Sequence, residues 1–479
     1  MLTYSFENTG SDSMYEYLYK CIRDDILKHN LTNGYKLPSK RNFAKNLGIS
    51  TITVENAYEQ LIAEGYIYSI PKKGYYVSDI SQILIPAYEN EFKERNADIS
   101  VKSPVYKNLH IKPNPSDNCF ADLASNRINA DNFPFYTWSK LMKEIMADRR
   151  DALLQPSPSE GIYELRAAIC SHLKEFRGMN VHPEQIIIGA GTEYLYTLII
   201  QLLGRDKTFA VEDPGYEKIR KIYNSNNVKC VSIPIDEEGV NIDALKAGNA
   251  DILHLSPSHH YPTGIVTPIG RRYEILGWAL NCESRYIIED DYDSEFRYKG
   301  RPIPALQGMD QGGRVIYMGT FSRSIAPAIR VGFMVLPGEL LSRYRSQAGF
   351  YACTVSRIDQ KVLYHFITGG YYERHLNRMR AVYKGKHDVL LSGLKELEDM
   401  FWIRGEYAGI HVLLTHKGQM PEKELIERAA GEGVRVYGMS EAVIGENKDL
   451  VPSTVILGYA NLKEKEIQEG CMRLARAWK

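Results

Sequence analysis

Three short stretches of the chain carry residues suited to holding an anionic or ring-shaped ligand. Gly189-Ala190-Gly191-Thr192-Glu193 sets glycines and a hydroxyl where the backbone N–H groups of a helix start can cradle a phosphate. Glu289-Asp290-Asp291-Tyr292-Asp293 is an acidic cluster that follows the apolar run Tyr286-Ile287-Ile288. A strand would deliver those side chains to a cleft; a solvated loop and a metal site are the plainer readings of the same cluster. Gly319-Thr320-Phe321-Ser322-Arg323-Ser324 offers hydroxyls, and Arg330 shortly after it could supply a second phosphate anchor. A different chemistry stands near the N-terminus. From Ile26 through Val54 there is no Asp or Glu, while Lys28, Lys36, Lys40, Arg41 and Lys45 all fall in that window. One face there is basic, as contact with a phosphate backbone requires.

The elements that must position these groups follow from periodicity. Met14, Leu18, Ile22 and Ile26 recur at helical spacing, and Leu37-Pro38-Ser39 stops one element and caps the next. Ser39 is the expected N-cap of a helix ending near Leu47 at Gly48. Ser50 or Thr51 caps another, with an apolar stripe of Val54, Ala57, Tyr58, Leu61 and Ile62 ending at Gly65. Tyr66-Ile67-Tyr68-Ser69-Ile70 and Tyr75-Tyr76-Val77 flank Pro71-Lys72-Lys73-Gly74 and read as a hairpin. Helix, turn, helix and hairpin make a winged helix. Its recognition helix would present Ser50, Thr51, Thr53 and Asn56 to base edges, with Lys40, Arg41, Lys72 and Lys73 on phosphates. From Phe120 onward, short β-prone runs at 185–188, 208–211, 229–235, 251–255, 285–288 and 315–318 alternate with helical segments. That alternation means a mostly parallel α/β sheet with functional residues on the loops at the strands' carboxyl ends.

The chain has 479 residues, 44% hydrophobic and 25% charged, and Lys+Arg 59 balances Asp+Glu 59. This is globular composition, long enough for two to four domains at roughly 100–200 residues each. No apolar stretch approaches the ~20 residues of a membrane span. The polar, acidic start shows no secretory signal, so the protein is expected in the cytoplasm. The 7 cysteines show neither C-x-x-C pairs nor histidine spacing, so no zinc, other metal site or disulfide framework is expected. Prolines 86, 104, 113 and 115 among charged residues mark a linker. The expected division is a winged helix at 1–79, a linker at 80–118 and a large domain at 119–479.

Leu37-Pro38-Ser39-Lys40-Arg41, Ile49-Ser50, Thr53-Val54, Ala57-Tyr58, Glu64-Gly65 and Lys73-Gly74-Tyr75-Tyr76-Val77 resemble the GntR-type winged helix. Where that family commonly carries a base-reading Arg after the cap residue, this sequence has Thr51. From Phe120 on, Glu212-Asp213-Pro214-Gly215-Tyr216, Ser256-Pro257-Ser258-His259-His260-Tyr261-Pro262-Thr263-Gly264, the acidic cluster and the stretch from Gly319 resemble a fold-type-I aminotransferase domain. The combination resembles the MocR-type transcription regulators. The resemblance implies an α/β fold: a winged helix-turn-helix joined by a linker to a pyridoxal phosphate (PLP)-dependent aminotransferase-like domain, a mostly parallel sheet with helices on both faces and a smaller C-terminal subdomain. It also implies a homodimer, operator DNA and a small-molecule effector, amino-acid or vitamin related, as partners. Asp290 would pair with the pyridinium nitrogen, Tyr292 with the ring hydroxyl, and Tyr216 would line the ring. Gly191, Thr192, Thr320, Ser322 and Arg330 would meet the phosphate.

Two departures stand out. The family's Schiff-base lysine follows the Ser of the Thr-Phe-Ser motif, and here that position is Arg323, which stays protonated and forms no imine. The carboxylate-gripping Arg usual near the C-terminus has no counterpart in Ile456-Leu457-Gly458-Tyr459-Ala460-Asn461. No catalytic residue is therefore assigned. Three outcomes stay open: Arg323 holds PLP non-covalently, another anionic metabolite replaces PLP, or a displaced lysine such as Lys218 takes over. The expected function is metabolite-responsive DNA binding; the alternative is a PLP-dependent aminotransferase with an accessory DNA-binding module.

Overall fold

The computed structural model describes residues 2–4, 6, 13–79, 119–125, 127, 129–147, 150–298, 303–405, 409–418, 420–445 and 452–479. The linker expected at 80–118 lies outside them. The chain separates into two compact units, Met1–Ile111 and Lys112–Lys479.

In the first unit, helices α1 (Met14–Leu27), α2 (Lys40–Leu47) and α3 (Thr51–Ala63) pack with strands β1 (Lys36–Leu37), β2 (Ile67–Ile70) and β3 (Gly74–Val77). Leu18, Ile22 and Ile26 of α1 meet Val54, Tyr58 and Leu61 of α3 and Phe43 of α2 in one core. Each such side chain contributes about 1.5–3 kcal/mol by leaving water. Ser39 Oγ accepts from Asn42 N–H and Ser50 Oγ from Thr53 N–H, so both helices start where the sequence expects. Between them Gly48 takes φ +69°, a left-handed turn that glycine adopts without penalty. The wing is one strand wider than expected: β1 joins the hairpin in the order β1-β3-β2, all antiparallel. Two residues are too few to show alternation, so β1 left no sequence signal.

The second unit is built on an eight-stranded sheet. Its strands are β5 (Ile186–Gly189), β6 (Thr208–Asp213), β7 (Lys229–Asp236), β8 (Gly239–Val240), β9 (Ile252–Leu255), β10 (Tyr286–Asp291), β11 (Val315–Thr320) and β12 (Gly332–Val335), with β4 (Ala121–Asp122) apart. The order is β5-β12-β11-β10-β9-β6-β7-β8. All six expected strands are present, and β6, β7, β9, β10 and β11 run parallel. Strand β12 inserts antiparallel between β5 and β11; it is as short and apolar as a buried helix turn, which periodicity cannot separate from a strand. A smaller four-stranded antiparallel sheet follows, of β13 (Phe401–Arg404), β14 (His411–His416), β17 (Thr454–Gly458) and β16 (Tyr437–Gly438), with β15 (Val434–Arg435) pairing β4. Helices Tyr371–Leu394 and Glu464–Trp478 cover its core of Leu394, Phe401, Val412, Leu457 and Trp478. Among the described residues no helix is long and apolar enough to cross a membrane.

Candidate functional site

The carboxyl ends of the parallel strands open onto a cleft of about 840 Å³. Thr192, Tyr216, Asp290, Tyr292, Thr320, Ser322, Arg323 and Arg330 all line it. Gly191 stands behind them at the start of helix Thr192–Leu203 with φ +86°, and a Cβ there would fall 2.6 Å from Arg330 Nη2. Only glycine lets that turn and the Arg330 guanidinium approach so closely.

The acidic cluster sorts itself by strand alternation. Glu289 accepts the backbone N–H groups of Leu306 and Gln307, both at 2.8 Å. Asp291 pairs with buried Arg177 at 2.7 Å and accepts from Tyr317 Oη at 2.5 Å. Asp293 faces His259 Nδ1 at 2.9 Å. These three acids hold the framework and account for neither a metal site nor a solvated loop. Asp290 points to the other face of β10 and reaches the cleft. Its Oδ2 accepts from Tyr196 Oη at 2.5 Å and lies 3.5 Å from His254 Nε2, while its Oδ1 is buried with no hydrogen-bond partner among the described residues. Burial first, and Asp290 second, push the Tyr196 phenol well above its ordinary pKa, so Tyr196 stays a donor.

Tyr292 Oη stands 3.2 Å from His259 Nδ1. Because that nitrogen faces the Asp293 carboxyl, it carries its proton toward oxygen, and Tyr292 keeps its own proton for another partner. Burial raises the Tyr292 phenol pKa, Asp293 adds to the rise and Arg323 opposes it. Tyr216 is 45% exposed and meets Tyr261 edge-on at 5.8 Å, forming an aromatic rim.

Arg323 lies inside the cleft. Its Nη1 donates to the Ser125 carbonyl at 2.7 Å and its Cζ is 6.0 Å from the Tyr292 ring centroid. At the other end, Arg330 Nη2 pairs with Glu193 Oε2 at 2.7 Å, and Lys218 pairs with the second Glu193 oxygen. Lys218 thus lines the cleft beside Arg330, at the end that Thr192 also lines. Ile456 reaches the cleft from the small sheet, whereas Tyr459 is buried against Tyr298 and His387. Sequence reading missed Tyr196, His254, Ser125, Tyr261 and Tyr437. Tyr196 lies one helical turn from Thr192 and was open to periodicity; Tyr437 reaches the cleft only through the fold of the small sheet.

In the winged helix, Arg41, Lys72 and Lys73 are exposed, and Lys72 sits at the wing tip with φ +64°. Lys40 is tethered to Glu55 at 2.7 Å and lies over the Tyr75 ring. Ser50 and Thr53 hydroxyls face each other at 2.8 Å in the cap, leaving Thr51 and Asn56 exposed on α3.

Residues 14–77 match the bacterial regulatory proteins of the gntR family, and residues 120–474 match aminotransferase class I and II. The HTH-type transcriptional regulator YdeL of Bacillus subtilis is 37% identical over 97% of both chains. The probable rhizopine catabolism regulatory protein MocR of Rhizobium meliloti is 30% identical over 97% of this chain and 94% of its own. The chain is a MocR-type transcription regulator. The pyridoxine biosynthesis transcriptional regulator PdxR of Corynebacterium glutamicum is 30% identical to it over 93% of this chain and 92% of the relative. Among solved structures, the multiple substrate aminotransferase of Thermococcus profundus matches with TM-score 0.66 and 25% identity over 81% of the MocR-type chain and 97% of its own. The kynurenine aminotransferase of Pyrococcus horikoshii, at TM-score 0.66 and 24% identity, covers 83% of the chain and 96% of its own and shares the fold.

Proposed function

We propose that this MocR-type regulator binds operator DNA through residues 1–79, using Lys40, Arg41, Ser50, Thr51, Thr53, Asn56, Lys72 and Lys73. Residues 119–479 dimerise and sense a small anionic metabolite held without a covalent bond, in the cytoplasm. Two such heads on a two-fold axis would meet two half-sites, and the ligand would bias their spacing. The observation that carries the reading is Arg323. It lines the cleft at the motif position where the resemblance leads one to expect an imine-forming lysine, and a guanidinium offers only N–H donors and positive charge.

Several residues of the cleft support a PLP-like ligand, though none supplies its usual tether. The unpaired Asp290 Oδ1 can accept a ring N–H⁺, the free Tyr292 proton can go to a ring oxygen, and Gly191, Thr192, Thr320, Ser322 and Arg330 can surround a phosphate. When bound, the group supplies an electron-withdrawing pyridinium ring. Arg323, which lines the cleft and gives one N–H to the Ser125 carbonyl, would hold an oxygen of the ligand through its remaining N–H groups. Lys218 is the less favoured tether, since its ammonium is paired to Glu193, which Arg330 also holds.

The experiment is a visible spectrum of the purified protein with PLP, before and after borohydride and washing, alongside operator affinity with and without the ligand. The proposal expects a ligand band that washes away, no borohydride-fixed peptide, and an affinity that changes with ligand. A fixed lysine peptide with turnover of amino-donor and keto-acid pairs would establish the aminotransferase instead. Operator affinity indifferent to every anionic ligand tried would end the sensor reading.

A further inference from the structure

The reading face of α3 is chemically unusual for a helix that must recognise bases. With Val54, Ala57, Tyr58 and Leu61 buried, the opposite side is centred on Ile52 and Asn56, which lie one helical turn apart. Ile52 is 67% exposed, a large apolar side chain set on the outward face beside the cap. Asn56 is exposed and makes no hydrogen bond among the described residues. Of the other polar candidates, Ser50 and Thr53 hydroxyls hold each other in the cap and Glu55 is paired to Lys40, while Thr51 stays exposed at the first position of the helix, to one side of the Ile52–Asn56 line. Glu59 lies ~10 Å further along the axis from Ile52, seven residues at about 1.5 Å each. Helix α3, Thr51–Ala63, contains no Arg or Lys at all. It therefore lacks the cationic forks that read guanine O6 and N7.

We infer that Ile52 and Asn56 make α3 a reader of A·T pairs, with Ile52 packing on a thymine C5-methyl and Asn56 bonding the N7 and N6 edge of an adenine in a neighbouring pair. Resting on the operator-binding reading, this names what that operator must contain. The chemistry is complementary on both counts. A branched aliphatic side chain gains by burying the one methyl group in the major groove, and a carboxamide presents the donor and acceptor that adenine alone matches in a bidentate way. Lys40, Arg41, Lys72 and Lys73 would supply affinity without sequence information.

The test uses the full-length protein in a selection from randomised duplexes, followed by titration on the selected half-site with single-atom base changes. The expected result is A·T pairs at two nearby positions. Uracil in place of the contacted thymine removes only the methyl and should weaken wild-type binding about five- to tenfold, while leaving Ile52→Ala unchanged. Asn56→Ala, or 7-deazaadenine opposite the wild-type protein, should weaken binding by roughly five- to a hundredfold and level the preference at that position. Both side chains are exposed, so the variants keep the fold, and an unchanged melting curve checks it. Guanine at the two positions, or equal affinity for uracil and thymine in the wild type, overturns the inference with operator binding intact. A selection that enriches no duplex overturns the operator-binding reading itself and the inference with it.

Discussion

Replacing Asp290 by Asn should move stability and ligand binding in opposite directions. In the free protein Asp290 buries a carboxyl group of which Oδ2 is served by Tyr196 and Oδ1 by no group among the described residues. An unpaired buried polar atom costs about 1–3 kcal/mol, more when charged. Asn keeps the shape and one acceptor for Tyr196, and its amide nitrogen replaces the unpaired Oδ1 at the cleft, so the free variant should melt at the wild-type temperature or above it. A protonated ring nitrogen loses its charge-assisted partner, worth roughly 1.5–3 kcal/mol, or about ten- to a hundredfold in Kd. At a PLP concentration of a hundred times the wild-type Kd, ligand stabilises the folded state by about 2.7 kcal/mol. Raising Kd ten- to a hundredfold leaves about 1.4 to 0.4 kcal/mol by the same relation. Thermal melts of both proteins at that one concentration, with isothermal titration to fix Kd, measure both signs. If Asp290→Asn melts lower when free and keeps the full ligand-induced rise, Asp290 is a framework acid and the ring assignment is wrong.

Glu193→Gln should free Arg330 and Lys218 for an incoming phosphate and tighten PLP or inorganic phosphate binding severalfold. Its effect on the melting temperature should be small, because half-exposed pairs are worth about 0–1 kcal/mol. Arg323→Lys should turn a washable PLP complex into one that borohydride fixes, with the label on residue 323 by peptide mapping; a label on Lys218 in either protein would contradict the placement of that amine beside Arg330. Ser50→Ala should lower winged-helix stability by about 1 kcal/mol and Ser50→Gly by only a few tenths, read from denaturant midpoints, since Ser50 Oγ caps α3. Glu212 is buried, which raises its pKa to about 8, against which a Ser256 N–H bond to Oε2 works. Its folded form holds a proton that the unfolded chain releases near the ordinary carboxyl value. Stability from this group is therefore complete at acid pH and is lost as pH rises toward about 8, by up to about 1.4 kcal/mol per pH unit. Glu212→Gln should flatten that slope in melting curves taken between pH 5 and 8; an unchanged slope would show that Glu212 is ionised in the fold.

The sequence by itself determined the three helices and hairpin of the winged helix, six strands of the large sheet and the polar residues at one side of the cleft. Ser39, Gly48 and Ser50 fix helix ends through local backbone chemistry, which needs no distant partner, and apolar spacing marks which face of α1 and α3 is buried. Strand-end loops likewise gave Asp290, Tyr292, Thr320 and Arg330, because parallel sheets deliver side chains at their carboxyl ends whatever the contacts. That Arg323 follows the Ser of the Thr-Phe-Ser stretch was likewise read from one residue type at one position. Tertiary structure alone decided how those groups share their bonds. Four neighbouring acids look alike in sequence, yet Arg177, His259 and the backbone at Leu306 and Gln307, all distant in the chain, engage three and leave Asp290 with an open oxygen. The same holds for Glu193 between Arg330 and Lys218, and for Lys40, drawn to Glu55 across the winged helix. Hydrogen bonds and ion pairs act over about 3–4 Å, so which polar group is spent and which is free depends on chain segments that sequence order does not bring together.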